Sequence, residues 1–374
     1  MKDLRLGKEA QKARDAGAAI QQVTRRCFTN VRRRAIQRAI SIILLAIALG
    51  FGGPHPAVSD RAQTGADDPL PSWNDRDAKR GIIDFVTRVT TEGSPDFTPV
   101  ADRVAAFDND GTLWVERPLP PEVYFIFERV RELVAKFPSL KDRGPFKAAL
   151  EGDVDYFHAE GKKAVLELLV ATETGMDQER FAAEARQFLE KWRHPKLDRP
   201  FTEIAYQPMI ELLAYLRRNG FQTWISSGGM IDFLRVIAPQ IYGIPVNQII
   251  GTEVKLESRM VGDRLVIWRL PEIETVNNKD KKPVGIDRHI GVRPIFVGAN
   301  VGNGGDVAMM QYSKGRRGPS FQLLVNHDDA AREFAYGEKD NASLNAAKKY
   351  GFTVVSIKDD WKTVFVAPQA AAAK

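Results

Sequence analysis

The sequence has few side chains of the kinds that cross-link a chain or bind soft metals. Its 374 residues include one cysteine, Cys27, which excludes a disulfide scaffold, a zinc-finger array and an iron–sulfur cluster bound by this chain alone. The five histidines are scattered, and no pair has zinc-ligand spacing. Apolar residues make up 44% of the chain, which supports a buried core, and the length predicts roughly two domains.

The excess of basic residues is confined to the amino terminus. The formal net charge is +6, but residues 1–54 hold eleven of the 54 Lys and Arg and only three of the 48 Asp and Glu. The remainder of the chain is therefore close to neutral. Because a folded domain needs clustered Lys and Arg to neutralise phosphates, nucleic-acid binding is disfavoured.

Residues 1–54 are predicted to be a signal peptide or a membrane anchor. Arginines precede the uncharged apolar run of residues 39–53, and a positive flank before about 7–15 apolar residues is typical of a secretory signal. A tilted helix or a thinned bilayer would also hold this run as an inner-membrane anchor. Both interpretations predict an exported protein, periplasmic or secreted, that touches the membrane only through this segment. Residues 55–80 are predicted to be a linker.

The rest of the chain has the pattern of an α/β protein, a Rossmann-like doubly wound parallel sheet with an inserted helical cap domain. Residues 81–113 and 220–365 alternate short apolar runs with helical periodicity, which predicts this sheet. Residues 114–219 repeat apolar side chains at spacings of three and four, which predicts the helical insertion. Strands are predicted at residues 104–107, 223–225, 294–297, 322–325 and 353–357, a hairpin at residues 254–267 and a helix at residues 230–237.

Two aspartates follow the first predicted strand directly. Asp108 and Asp110 are spaced i and i+2, so at the carboxyl end of a strand, where ligands bind in such sheets, their carboxylates crowd each other. A cation or a shared proton would relieve the repulsion. Gly111 and Thr112 then turn the chain and offer N–H groups and a hydroxyl. The alternative is an Asx-turn that ends a strand, but the apolar strand before the pair and the Gly-Thr-Leu after it favour a chemical role.

A second group of small residues follows the strand at residues 223–225. Ser226, Ser227, Gly228 and Gly229 run straight into a predicted helix. A hydroxyl and exposed N–H groups at a helix start form an anion site. Ordinary helix capping is the alternative interpretation.

Two further segments offer charged or polar groups near a helix or a strand end. Pro283 is a natural first helical residue, which places Lys282 at the positive end of a helix, although the adjacent Lys281 is hard to separate from it and a solvated charged loop is the alternative. The strand at residues 294–297 leads into a glycine-rich loop, where oxygen ligands would suit magnesium and a flexible turn is the alternative. The polar residues of this loop are Asn300, Asn303 and Asp306.

The order Asp-x-Asp, Ser, Lys, Asp resembles the haloacid dehalogenase (HAD) superfamily of aspartate-nucleophile phosphatases. Ser227-Gly228-Gly229 before a helix is similar to its phosphoserine-phosphatase-like branch, and residues 103–361 look like an exported bacterial group. The resemblance implies that Asp108 is the nucleophile and that Asp110 protonates the leaving group and then activates water. It also implies a small phosphorylated substrate, held by Ser227 and Lys282 together with Thr112, Gly228 and Gly229.

The resemblance further implies a Mg²⁺ ion between Asp108, the backbone carbonyl of Asp110 and the loop after residue 297. This loop departs from the usual family pattern, in which Gly-Asp or Gly-Asn precedes the final aspartate by four or five residues. Here the metal ligands are expected to be Asp306 and one asparagine, either Asn300 or Asn303.

The functional prediction is an exported, Mg²⁺-dependent phosphomonoesterase. The alternatives are a binding protein on a catalytically weak or inactive HAD scaffold, a phosphotransferase, and a dehalogenase-type hydrolase, although the second aspartate of the first motif argues for attack on phosphorus. Trp114 is expected to pack at the hinge between core and insertion. The remaining histidines are expected to be solvated or hydrogen-bonded at the surface: His158, His194, His289 and His327.

Overall fold

The computed structural model describes residues 68–302 and 305–366. The predicted signal or anchor, the run of residues 39–53 and Asn303 lie outside the described residues. None of the helices formed by the described residues has the length and hydropathy that crossing a bilayer requires.

One sheet of seven strands organises the described residues, in the order β4-β3-β2-β1-β5-β6-β7. Neighbouring strands are parallel except for the antiparallel pair of β3 and β4. Helices flank this sheet, which confirms the predicted α/β class with a doubly wound, Rossmann-like sheet. The strands are β1 (Val104–Phe107), β2 (Gln222–Met230), β3 (Ile249–Val261), β4 (Arg264–Thr275), β5 (Phe296–Asn300), β6 (Phe321–Asn326) and β7 (Thr353–Ser356).

Twelve α-helices occur in the described residues, and five of them lie between β1 and the helix that leads into β2. They are α1 (Asp77–Thr90), α2 (Pro121–Lys136), α3 (Gly144–Glu151), α4 (Val154–Glu160), α5 (Lys162–Thr172), α6 (Gln178–Lys191), α7 (Gln207–Arg218), α8 (Ile231–Ile241), α9 (Lys281–Ile290), α10 (Val307–Lys314), α11 (Ala342–Tyr350) and α12 (Ile357–Asp360). Short 3₁₀ turns occur at Val100–Asp102, Pro138–Asp142, Phe201–Glu203 and Val246–Gln248.

Helices α2 to α5 pack on one another, whereas α7 packs on β2. The end of the segment predicted as an insertion therefore belongs to the layers of the sheet. Helices α5 and α6 also contact β4, and the backbone N–H groups of Gly175 and Arg269 donate to the carbonyls of Arg269 and Met176. The long β3–β4 hairpin thus ties the helical insertion to the edge of the sheet.

Three further predictions about the organisation of the chain differ from the structure. Residues 68–80 are not linker, because Leu70 and Trp73 are buried and Trp73 packs edge-on against Trp361 at 6.1 Å. Strand β2 continues through the Ser-Ser-Gly-Gly segment to Met230, with a register shift against β3, so helix α8 begins one residue later than predicted. The hairpin is longer than predicted, because its first residues form a buried, non-alternating run that pairs with β2.

Strand β5 lies beside β1 at the centre of the sheet and requires a glycine there. A Cβ atom on Gly298 would lie 2.4 Å from Cδ1 of Phe107, which is itself fully buried. The carbonyl of Gly298 also accepts a hydrogen bond of 3.0 Å from the N–H of Asp108. The missing side chain therefore lets β1 and β5 approach closely enough to fix the residue that follows β1.

We expect Gly298→Ala to lower the free energy of unfolding by about 1–3 kcal/mol, the usual cost of overpacking a dense core. The matched control is Gly337→Ala, where the position is exposed and a Cβ would meet nothing within 4 Å. That change should stay within about 0.5 kcal/mol. Equal unfolding midpoints for the two variants in a urea titration would contradict the close approach of β1 and β5.

Candidate active site

Four of the residues singled out in the sequence lie at the carboxyl-terminal edge of the sheet, where open α/β sheets bind ligands. Asp108 follows β1, Ser227 lies in the last part of β2, Lys282 lies in the first turn of α9, and Asp306 directly precedes α10. All four side chains are buried. Since β1 lies between β2 and β5 in the sheet, the loops that carry them converge on one place.

The ammonium group of Lys282 joins two of these carboxylates. Its Nζ lies 2.5 Å from Oδ1 of Asp108 and also contacts Oδ1 of Asp306. Burial raises the pKa of Asp108, against the attraction of Lys282, and burial together with repulsion from Asp108 raises the pKa of Asp306 to about 7. Burial opposes the charge on Lys282, but attraction to both carboxylates raises its pKa overall. In contrast, Lys281 is exposed and lies 3.9 Å from Asp280.

Asp110 points to a different set of partners. Its Oδ1 accepts hydrogen bonds from Nε1 of Trp114 at 2.7 Å and from Nδ2 of Asn109 at 3.2 Å. Burial, with a contribution from the charge of Glu116, raises its pKa to about 6. The sequence had suggested packing for Trp114. The structure adds a hydrogen bond to that packing, and the i, i+4 spacing of the two residues is the signal that would have suggested it.

Gly111 allows the turn after Asp110. Its φ is +76°, and a Cβ atom there would lie 2.0 Å from Nδ2 of Asn300. Asp108, Asp110, Lys282 and Asp306 line one cavity, which we call the cleft. Thr112, which the resemblance places at the substrate, is fully buried and does not line it. Ser227 is fully buried as well, and its Oγ accepts a hydrogen bond of 3.1 Å from the N–H of Gly229. At this point the cleft is lined by Gly228 and Gly229.

A buried histidine, His327, contacts the backbone of the turn at Gly111. Nε2 of His327 lies 2.9 Å from the carbonyl oxygen of Gly111, and its Nδ1 lies 3.3 Å from Oε2 of Glu333. The hydroxyl of Tyr206 donates to Oε1 of Glu333 at 2.7 Å, and the ring of Tyr336 stacks on His327 at 4.2 Å. The expectation that His327 is a surface residue is therefore wrong. His194 is buried too, with Nε2 2.7 Å from the carbonyl oxygen of Arg117.

Two glutamates also belong to this region: Glu116, which follows the Asp-x-Asp loop closely enough in the sequence to touch a ligand, and Glu122 of the insertion, for which the sequence gives no signal. Oε1 of Glu116 accepts a hydrogen bond of 3.2 Å from Asn300, and burial raises the pKa of Glu116. Glu122, in the first turn of α2, accepts from the N–H of Met230 with both oxygens, at 3.0 and 3.2 Å. The predicted anion site at the start of α8 therefore already contacts a carboxylate of the helical insertion.

The oxygen groups of the cleft have the chemistry of a hard-cation site. Among residues 68–302 and 305–366, no set of three or more His, Cys, Asp or Glu side chains is spaced as a metal-binding cluster. However, the carboxylates of Asp108 and Asp306 are buried and repel each other, and a cation would compensate both. With its Nδ2 directed to Glu116, Asn300 keeps its amide oxygen as a further hard ligand. These donors fit Mg²⁺.

Residues 105–282 match the family of haloacid dehalogenase-like hydrolases. The match begins in β1 and ends at Lys282, so it contains three of the four sequence features and stops before Asp306. This part of the chain is therefore similar to haloacid dehalogenase-like hydrolases. A search of curated proteins found no match.

Several solved structures are similar to this chain. A conserved protein of unknown function from Anaerococcus prevotii is 13% identical over 79% of this chain and 98% of its own, with a TM-score of 0.52, which shows a common fold. A protein of unknown function from Bordetella pertussis is 14% identical over 68% of this chain and 97% of its own, with a TM-score of 0.42. A phosphoserine phosphohydrolase-like protein from Francisella tularensis is 16% identical over 68% and 94%, with a TM-score of 0.36.

We expect Lys282→Met to lower the free energy of unfolding by about 3–5 kcal/mol in a chelating buffer, because it leaves two buried carboxylates without their cation. The control is Lys281→Met, which removes an exposed lysine and should stay within about 0.5 kcal/mol. Urea unfolding followed by circular dichroism measures both. Equal stability of the two variants would show that the ammonium of Lys282 does not hold the carboxylates together.

Proposed function

We propose that this protein is a Mg²⁺-dependent phosphomonoester hydrolase that works through an aspartyl-phosphate intermediate. The observation that carries the proposal is the buried contact of the Asp108 carboxylate with Lys282, which also contacts Asp306. A second carboxylate of raised pKa, Asp110, follows Asp108 by two residues. The family match supports the hydrolase class, and the second aspartate favours phosphorus as the atom attacked.

In the first step, Asp108 supplies the nucleophile. A carboxylate oxygen of Asp108 forms a bond to phosphorus while the bond from phosphorus to the ester oxygen breaks. Lys282 favours the ionised form of Asp108 and offers a positive charge beside the phosphoryl oxygens. Gly228 and Gly229 also line the cleft, and their backbone is suited to hold the same oxygens.

Asp110 supplies the proton that the departing alkoxide requires. Its pKa of about 6 lets the group exchange a proton near neutral pH. Once the alcohol has left, the ionised Asp110 takes a proton from the water molecule that attacks the phosphorus of the intermediate, and Asp108 is released. The hydrogen bond from Trp114 holds the carboxylate in one orientation for both steps.

The carboxylates of Asp108 and Asp306 and the amide oxygen of Asn300 would hold the Mg²⁺ ion, together with the backbone carbonyl of Asp110. When bound, the ion supplies positive charge that offsets the charges of the phosphate and of the two carboxylates. Asn303, the other asparagine considered, lies outside the described residues.

The amino-terminal sequence motivates a proposal on location. Because basic residues precede the apolar run of residues 39–53, we propose that the hydrolase is exported to the periplasm or beyond it, either released or held by this run. Amino-terminal sequencing of the protein recovered from producing cells distinguishes a cleaved signal from a retained anchor.

We expect Asp108→Asn to reduce turnover of an aryl phosphate by the full chain in Mg²⁺ at least about a thousandfold, because the amide cannot form the acyl phosphate. The matched control, Asp280→Asn, changes an exposed aspartate at the start of α9 and should keep full activity. Chelation of Mg²⁺ should abolish the activity of the unaltered protein. If neither the unaltered protein nor the control exceeds Asp108→Asn on several phosphate esters, the fold serves binding instead.

The role of Asp110 is tested by the leaving group. We expect Asp110→Asn to lower kcat/KM for an alkyl phosphate about 10²–10⁴-fold, because an alkoxide needs a proton as it departs. The loss for 4-nitrophenyl phosphate should be at least about tenfold smaller, since nitrophenolate departs without one. Equal losses on the two esters in initial-rate assays would argue against proton donation by Asp110.

A further inference from the structure

A second cavity opens from the side of the catalytic cleft. It has a volume of ≈ 280 Å³, far more than the roughly 30 Å³ that one water molecule occupies in the liquid. We refer to it as the side chamber. It shares six lining residues with the cleft, so a molecule held at Asp108 can extend into it. The shared residues are Asp110, Glu116, His158, Gly161, Gly228 and Gly229.

The wall of the side chamber is mostly apolar and comes from the helical insertion. The segment before α2, the helices α2, α4 and α5, and one residue of β2 contribute aliphatic and aromatic side chains. These include Leu119, Val123, Phe157, Val165, Leu169 and Met230. A charged group placed against such a wall would lose its hydration without gaining a partner.

The entrance of the side chamber is acidic. Asp110 and Glu116 line both cavities and so lie where they meet, and Glu122 lines the chamber, where its two oxygens accept from the N–H of Met230. Of the basic groups present, Arg117 lies over the ring of Tyr336 at 4.4 Å. Burial and the neighbouring Arg117 lower the pKa of His158, which favours its neutral form. An anionic leaving group would in any case lose its hydration against the apolar wall.

We propose that the side chamber binds the alcohol portion of the substrate, and that this portion is an uncharged alkyl or aryl group. The inference rests on the proposed function for the place of the phosphate, at Asp108 and Lys282. The shared lining residues connect that place to the side chamber, and the apolar wall of the chamber favours an apolar group and disfavours a charged one. The substrate class is thus a phosphomonoester of an apolar alcohol.

Binding of alkylphosphonates tests the side chamber without requiring turnover, because their carbon–phosphorus bond stays intact. In calorimetric titrations of the full chain with Mg²⁺, we expect the Kd to fall about threefold to fourfold for each methylene from methyl- to butylphosphonate. Phenylphosphonate should bind more tightly than methylphosphonate, and a phosphonate carrying a carboxylate on its chain should bind more weakly than its uncharged analogue. A Kd independent of chain length, tighter binding of the carboxylate, or no binding of any phosphonate would overturn the proposal.

A matched pair of variants localises the effect. Val165→Phe places a ring in the side chamber and should reduce the butyl-to-methyl preference at least about fivefold. Leu166→Phe, also at the chamber wall, provides a second variant should the first fail to fold. Val134→Phe lies on α2 away from the chamber and should keep the preference. An unchanged preference in a folded chamber variant would refute the assignment.

The two proposals fail in different ways. Should the protein hydrolyse phosphate esters with a kcat/KM that does not rise from methyl to butyl or phenyl phosphate, the phosphatase proposal stands and the side-chamber proposal falls. Should chain-length-dependent binding of phosphonates occur without hydrolysis of any ester, the side-chamber proposal stands and the phosphatase proposal falls.

Discussion

The contact of Lys282 with Asp108 and Asp306 is the interaction on which the site depends. All three side chains are buried, and both carboxylates have raised pKa values because burial disfavours their charge. These three buried charges are stable only in close contact with one another. Removing one partner of a buried ion pair lowers the stability of the fold by about 3–5 kcal/mol. The fold must therefore deliver the end of β1, the start of α9 and the start of α10 to one point. The order of the central strands does this.

The same constraint explains why the centre of the sheet is so closely packed. Strand β1 is buried along its whole length, and its neighbour β5 offers Gly298 where Phe107 leaves no room for a side chain. The Gly298 carbonyl then fixes the backbone of Asp108. Behind the next turn, His327 holds the carbonyl of Gly111. Packing in the core therefore also fixes the backbone of the residues that carry the site.

The parts of the site that could be predicted are those that residues close together in the sequence indicate. The apolar run before Asp108 marks a buried strand, and Pro283 marks the helix start that carries Lys282. The hydrogen bond of His327 to Gly111 spans 216 residues and has no local signature. The extension of β2 through Ser227 was also missed, because small polar residues favour turns by themselves and only pairing with β3 keeps them extended.

The helical insertion is anchored on one side, and this determines where it can move. Arg269 of β4 is fully buried, donates to the carbonyl of Glu173 at 2.6 Å, contacts Asp232 of α8 and lies over the ring of Phe181 in α6 at 4.0 Å. Moving α6 away from the sheet would remove the ring of Phe181 and the side-chain oxygen of Gln178 from this buried guanidinium, whose ion pair with Asp232 would remain. Helix α5, which carries part of the apolar wall of the side chamber, is tied to the same guanidinium, because Glu173 directly follows its last residue and accepts the hydrogen bond from Arg269. A swing of the whole insertion would therefore have to break the contacts of both α5 and α6 with Arg269.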